Sequence, residues 1–255
     1  MNFYNLLKEE RKQTCFNIRN DIFLYLEHSE IGGIHPFFDD SDTYMRKAAY
    51  VAIGKIYQSH QAMRETIIKT LEKLMGDQSE RVRQTAIYSC GEIATIEFDV
   101  VEPLLETGLH DKHHSIRNAV IGSLKTSGQK NPVPTLTFCK KHILSPDAEI
   151  RRQACHGLEL RGRTHPQDVI DILKLLQFEK TKRVYDTLIH VLGQISYKKG
   201  CFRYVINQLK IWENKDLYPL VQNEIIEIHG RYEKFSEFTQ QEIIDVFAKE
   251  HAKPV

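Results

Sequence analysis

Side chains able to grip anions or planar groups recur at a fixed interval through the middle of this chain. Gln84, Asn118, Arg152 and Asp186 stand 34 residues apart, as do Tyr88, Gly122, His156 and His190, and Arg163 stands 34 before Tyr197. Guanidinium and imidazolium groups pair with carboxylates and phosphates, and tyrosine rings stack on planar groups. Shared periodicity puts these residues on one stripe, suited to an anionic or planar ligand. A second group, Lys180, Lys182 and Arg183, has the makeup of a phosphate contact. The alternative for every one of them is an ordinary solvated face, which any amphipathic helix must carry.

Such a stripe requires elements that repeat in step with it. An apolar-Arg pair follows an acidic residue at Asp77 with Val82-Arg83, at Asp111 with Ile116-Arg117 and at Asp147 with Ile150-Arg151. The anchors Val82, Ile116, Ile150 and Val184 are 34 residues apart, and Met45 and Val221 extend the series by 37 at either end, giving six units. A glycine nine residues past the anchor (Gly54, Gly91, Gly193, Gly230) is replaced by Lys125 and Glu159 in the third and fourth. Apolar residues at the anchor and four, five and eight beyond it describe a helical face. At about 100° per residue the opposite side carries offsets two, six and thirteen, which is where the stripe residues fall.

Second apolar stretches at 63–75, 100–109, 133–143, 169–176 and 201–212 alternate with these helices, separated by Gly76-Asp77, Asn131-Pro132 and Ser145-Pro146. No strand signal survives, so the expected fold class is all-α, built from antiparallel helix pairs. Residues 3–26 read as one or two helices followed by a loop over 31–40, and 240–249 as a short amphipathic capping helix.

The 255 residues carry a net charge of +1, which announces no partner, but the balance is uneven. Residues 112–200 hold 16 Lys or Arg against 7 Asp or Glu, while both flanks are acidic. A basic centre is the footprint of polyanion binding. Five cysteines without a CxxC pair, no export signal and no apolar run of spanning length make a cytoplasmic protein without membrane contact the expectation.

No motif assigns catalysis, a metal or a cofactor: P-loop, GxSxG, HExxH and strand-linked GxGxxG are all missing. His110, His113 and His114 surround Asp111, yet adjacent histidines on a helix diverge by about 100° and do not share an ion. Cys139 with His142 and Cys155 with His156 read as buried thiols beside surface imidazoles.

The Asp, apolar-Arg and Ala or Gly positions over residues 41–233 resemble the HEAT repeat, of the bacterial kind grouped with phycobilisome-lyase HEAT-like repeats. The resemblance implies a right-handed α-α superhelix of about six helix pairs, with caps at 1–40 and 234–255 and a partner surface lined by the second helices. It further implies Asp-Arg links between units, pairing Asp77 with Arg83 and Asp111 with Arg117, or each with its neighbour. Deoxyhypusine hydroxylase, a HEAT-like enzyme, uses His-Glu dipeptides as metal ligands, and none occurs here. HEAT-like alkylpurine DNA glycosylases share a basic channel but use tryptophans, and the single Trp212 falls where core packing is expected. The reading is therefore a non-catalytic scaffold binding a macromolecular partner, most readily a protein. The alternative is a nucleic-acid binder or a glycosylase of that type.

Overall fold

A computed structural model describes residues 3–251, so Met1, Asn2 and the tail residues 252–255 lie outside the described residues. The helices are α1 (Lys8–Glu27), α2 (Ile31–Phe38), α3 (Thr43–Ser59), α4 (Arg64–Met75), α5 (Glu80–Ala94), α6 (Glu102–Leu109), α7 (His114–Lys130) and α8 (Pro132–His142). After them come α9 (Ala148–Gly157), α10 (Glu159–Gly162), α11 (Ile170–Lys174), α12 (Lys182–Gln194), α13 (Cys201–Lys210), α14 (Leu217–Arg231) and α15 (Gln240–His251). Among the described residues there is no strand, and no helix is long and apolar enough to cross a membrane. The fold class is the expected one, all-α and made of HEAT-like helix pairs.

Two compact units form, Met1–Pro134 and Thr135–Val255. The anchor pattern accounts for the core of each. In α5, Val82, Ala86, Ile87 and Cys90 are fully buried, as are Leu188 and Leu192 of α12. In the first unit the long helices α3, α5 and α7 pack in sequence, with α4 and α6 behind them; in the second, α9, α12 and α14 do the same, and α15 covers α14 with Ile243 and Phe247.

The repeated arginine ties the turn before its own helix. Arg46, Arg83, Arg117 and Arg151 donate through Nη1 to the carbonyls of Asp40, Asp77, Asp111 and Ser145 at 2.5, 2.8, 2.7 and 2.8 Å. Of the two pairings implied by the resemblance, Arg83 takes the neighbour: its Nε donates to Asp111 Oδ2 at 2.8 Å. Arg151 likewise donates to Glu179 at 2.6 Å, and that hydrogen bond holds the Glu179 carboxyl down at about 2. Asp147 is not the repeat acid of its unit. Ser145 holds that place, five residues before the anchor as Asp77 and Asp111 are, while Asp147 caps α9 through Glu149 N at 2.7 Å.

The expected loop over 31–40 is largely the helix α2. Its Gly-Gly and Pro36 signal a break, but Ile34 and Phe38, one turn apart, are fully buried and hold the turn of helix in place.

Candidate functional site

The second unit carries a polar cluster whose origin is local. At Gly91 and Gly193 the next long helix presses so close that an added Cβ would lie 2.4 Å from Ser123 Oγ and 2.5 Å from Glu224 Cγ. At the same place in the α9 unit the chain has Glu159. The helix does not continue smoothly there: Leu158 N bonds Cys155 O at 3.3 Å, a tighter turn, and α10 restarts at Glu159. The carboxylate enters the space that a glycine leaves to a neighbouring helix, and it is only 4% exposed.

Cationic and imidazole groups close around it. His156 Nε2 is 3.0 Å and His190 Nε2 3.8 Å from Glu159 Oε2, while Arg163 Nη2 donates to Oε1 at 2.5 Å. Arg163 also donates to Gln194 Oε1, and its guanidinium lies 5.7 Å from the centre of the Tyr197 ring. His190 Nδ1 is 3.1 Å from Glu224 Oε1. Arg152 is clamped on Glu149 by bonds of 2.9 and 2.7 Å, and toward solvent Lys182 bonds Asp186 at 2.7 Å and Arg183 lies 3.5 Å from Glu149. Arg152, His156, Lys182, Arg183, Asp186, Thr187 and His190 line an open pocket of about 460 Å³.

Of the sequence-predicted stripe, the pocket thus gathers Arg152, His156, Asp186 and His190, and two residues of the phosphate group, Lys182 and Arg183. Lys180 is exposed in the turn just before α12. Two expectations change. Tyr197 is buried at 4% exposure, stacked 5.2 Å from Tyr232, and Arg163 lies in the turn past α10 with its guanidinium turned inward on Glu159. Both sit at offset thirteen, which falls beyond the ends of α9 and α12, so the helical angle no longer applies. Arg152 is also buried, its charge absorbed by Glu149 one turn earlier. Glu159 and Glu224 were not among the expected site residues; the only signal for Glu159 was the missing glycine.

The remaining stripe residues belong to the first unit. Gln84 donates to Ser115 O at 3.3 Å, Asn118 is exposed on α7, and Tyr88 stacks on Tyr50 at 5.1 Å beside Gly122. Desolvation raises the pKa of both tyrosines, Tyr50 to about 12. A larger pocket of about 710 Å³ lies between α1 and α3, with Lys8, Arg11, Arg19 and Lys55 around Phe16 and Val51, and none of the named stripe residues lines it. His113 caps α7 by accepting from Ser115 N. Cys139 and Cys155 are fully buried, and burial pushes both thiols up, Cys139 to about 12, far from a reactive thiolate. His142 is a correction: it is buried at 6% exposure against Phe138, not a surface imidazole. Trp212 is buried too and offers no stacking platform.

Residues 34–125 match the family described as HEAT repeats. No curated protein matches the chain by sequence. Among solved structures, AlkD2 from Streptococcus mutans is similar with a TM-score of 0.58 at 16% identity, over 77% of this chain and 97% of that one. The protein smu.31 from Streptococcus mutans UA159 is similar with a TM-score of 0.54 at 19% identity, over 70% of this chain and 92% of that one. At such identities the likeness is one of fold.

Proposed function

Taking as premise that this is a HEAT-like repeat protein, we propose that it is a non-catalytic scaffold that binds an acidic protein surface through the polar face of α9 and α12. One observation carries the reading: side chains predicted from periodicity alone converge from two successive long helices on a single open pocket. The pocket presents charges of both signs, each cation close to a carboxylate, which suits a protein surface better than a uniformly anionic backbone. Lys182 and Arg183, 86% and 71% exposed at the side chain, are the groups best able to reach a partner.

The test is affinity capture with the Lys182→Glu/Arg183→Glu protein beside the wild type, both checked for equal helicity. A protein recovered by the wild type and lost by the variant supports the reading. Identical recovery by the two overturns it. A nucleic-acid reading is favoured by Lys180, Lys182 and Arg183 standing exposed together at the α12 N-terminus, where the helix dipole also attracts anions. Fluorescence anisotropy with single- and double-stranded DNA over a salt series separates the two, since phosphate binding weakens steeply with salt.

A further inference from the structure

We infer that His156, Glu159 and His190 form a binding site for a divalent transition-metal ion, with zinc the best fit. The ligand atoms converge without rearrangement of the fold: His156 Nε2, Glu159 Oε2 and His190 Nε2 all lie within 4.8 Å of one another. Two ligands held about 2.1 Å from a tetrahedral ion stand roughly 3.4 Å apart. The observed separations of 3.0 Å for His156 to Glu159 and 3.8 Å for His190 to Glu159 straddle that value.

Three features go beyond proximity. Both imidazoles address the same oxygen, Oε2, while Arg163 occupies the other, Oε1, and so fixes the carboxylate with one oxygen turned toward the histidines. The Nδ1 of His190 faces Glu224 Oε1 at 3.1 Å, the carboxylate-histidine arrangement that orients a ligating imidazole and raises its basicity. Finally, the carboxylate is 4% exposed and occupies a position that is glycine in four other units, so its burial is specific to this repeat. Two imidazoles and one carboxylate are a ligand set that suits zinc and leaves a fourth position open. His156 and His190 both line the pocket that holds Arg152, Lys182 and Arg183, so water or an anionic group drawn by those cations can complete the coordination. The inference stands on this geometry alone and does not need the scaffold reading.

Cobalt(II) reports on such a site through the intense visible absorption of tetrahedral coordination, and zinc through calorimetry. Because Cys15 is an exposed thiol, the measurements belong in the full chain carrying Cys15→Ser, stripped with chelator. One ion per chain is expected, with a tetrahedral cobalt spectrum displaced by zinc. His156→Ala and His190→Ala should each abolish both signals, and Glu159→Gln, which keeps the shape of the side chain, should do the same. Glu224→Gln, which touches no metal, should weaken affinity by about 10- to 100-fold with the stoichiometry unchanged. Circular dichroism confirms that each variant is folded, and Asp186→Asn in the same pocket is the control expected to bind normally. Failure of the folded parent protein to bind, an octahedral cobalt spectrum, or one-to-one binding that survives in both histidine variants would each overturn the assignment.

Discussion

His229 of α14 is fully buried and its Nδ1 lies 2.8 Å from Ile225 O, so the ring donates its Nδ1 proton to that carbonyl. The other nitrogen, Nε2, is then a lone pair beside Phe202, with no hydrogen-bond partner among the described residues. Burial lowers the pKa, so the folded protein keeps this histidine neutral where an unfolded chain would already be protonated. Below about pH 6.5 the unfolded state therefore binds more protons, and stability falls as pH falls, by at most about 1.4 kcal/mol per pH unit until the folded-state pKa is passed. Above that pH the residue contributes no pH dependence. His229→Phe should remove this share: urea midpoints of wild type and variant should differ more at pH 5.5 than at pH 8, in the variant's favour at the acid end. Parallel loss in the two proteins would show that other groups set the acid limb.

At the scale of elements, Arg83 and Arg151 each do two jobs, closing the turn before their own helix and reaching an acid of the next repeat. Arg83 and Asp111 are 8% and 11% exposed at the side chain, so removing only the arginine strands a buried carboxylate. Arg83→Met should cost about 3 to 5 kcal/mol, and adding Asp111→Asn should restore part of it, since the amide needs no counter-charge. Denaturant unfolding of the two single variants and the double variant measures the coupling; additive losses would mean the link between units is immaterial. Gly91→Ala tests the close approach of α7, because the new Cβ would lie 2.9 Å from Ser123 Cα, a backbone atom that has to move. A loss of about 1 to 3 kcal/mol in the same unfolding assay is expected. These contacts explain why the helix pairs were legible from sequence: the anchor recurs in all six units, and the arginine and the glycine in four each, wherever their contact is made. Features demanded only once were not legible. α2 is held by Ile34 and Phe38 against a local Gly-Pro signal, and Ser145 conceals its equivalence to Asp77 because it lacks the carboxylate. Most of the pocket was visible in the sequence, Arg152, His156, Asp186 and His190 as period and Lys182 and Arg183 as a phosphate-contact group. What was not visible depended on helix ends, which displaced Arg163 and Tyr197, and on Glu159 entering a gap that only the packed helices define.

For the whole molecule, a net charge of +1 conceals an excess of cations between residues 112 and 200, and the structure changes what that excess can do. The arginines in its densest stretch are already engaged: Arg151 on Glu179, Arg152 on Glu149, Arg161 on Asp168 and Arg163 on Glu159. Their guanidinium groups are mostly shielded from solvent, and releasing one to a phosphate would leave a shielded carboxylate unpaired, which is costly. The pairing leaves the net charge of the region unchanged, since these carboxylates are already among its seven acids, but it restricts which cations can reach a partner. Exposed cations such as Lys180, Lys182 and Arg183 remain available, and three phosphate contacts correspond to a slope of about −2.7 in log affinity against log salt. Duplex DNA bound through this cluster alone should therefore show a slope near −3, and Lys182→Glu/Arg183→Glu should flatten it by about two. A slope near −6 would mean that further exposed cations of the region, such as Lys112, Lys140 and Lys199, join the contact, and would move the molecule from the protein-scaffold reading to the nucleic-acid one.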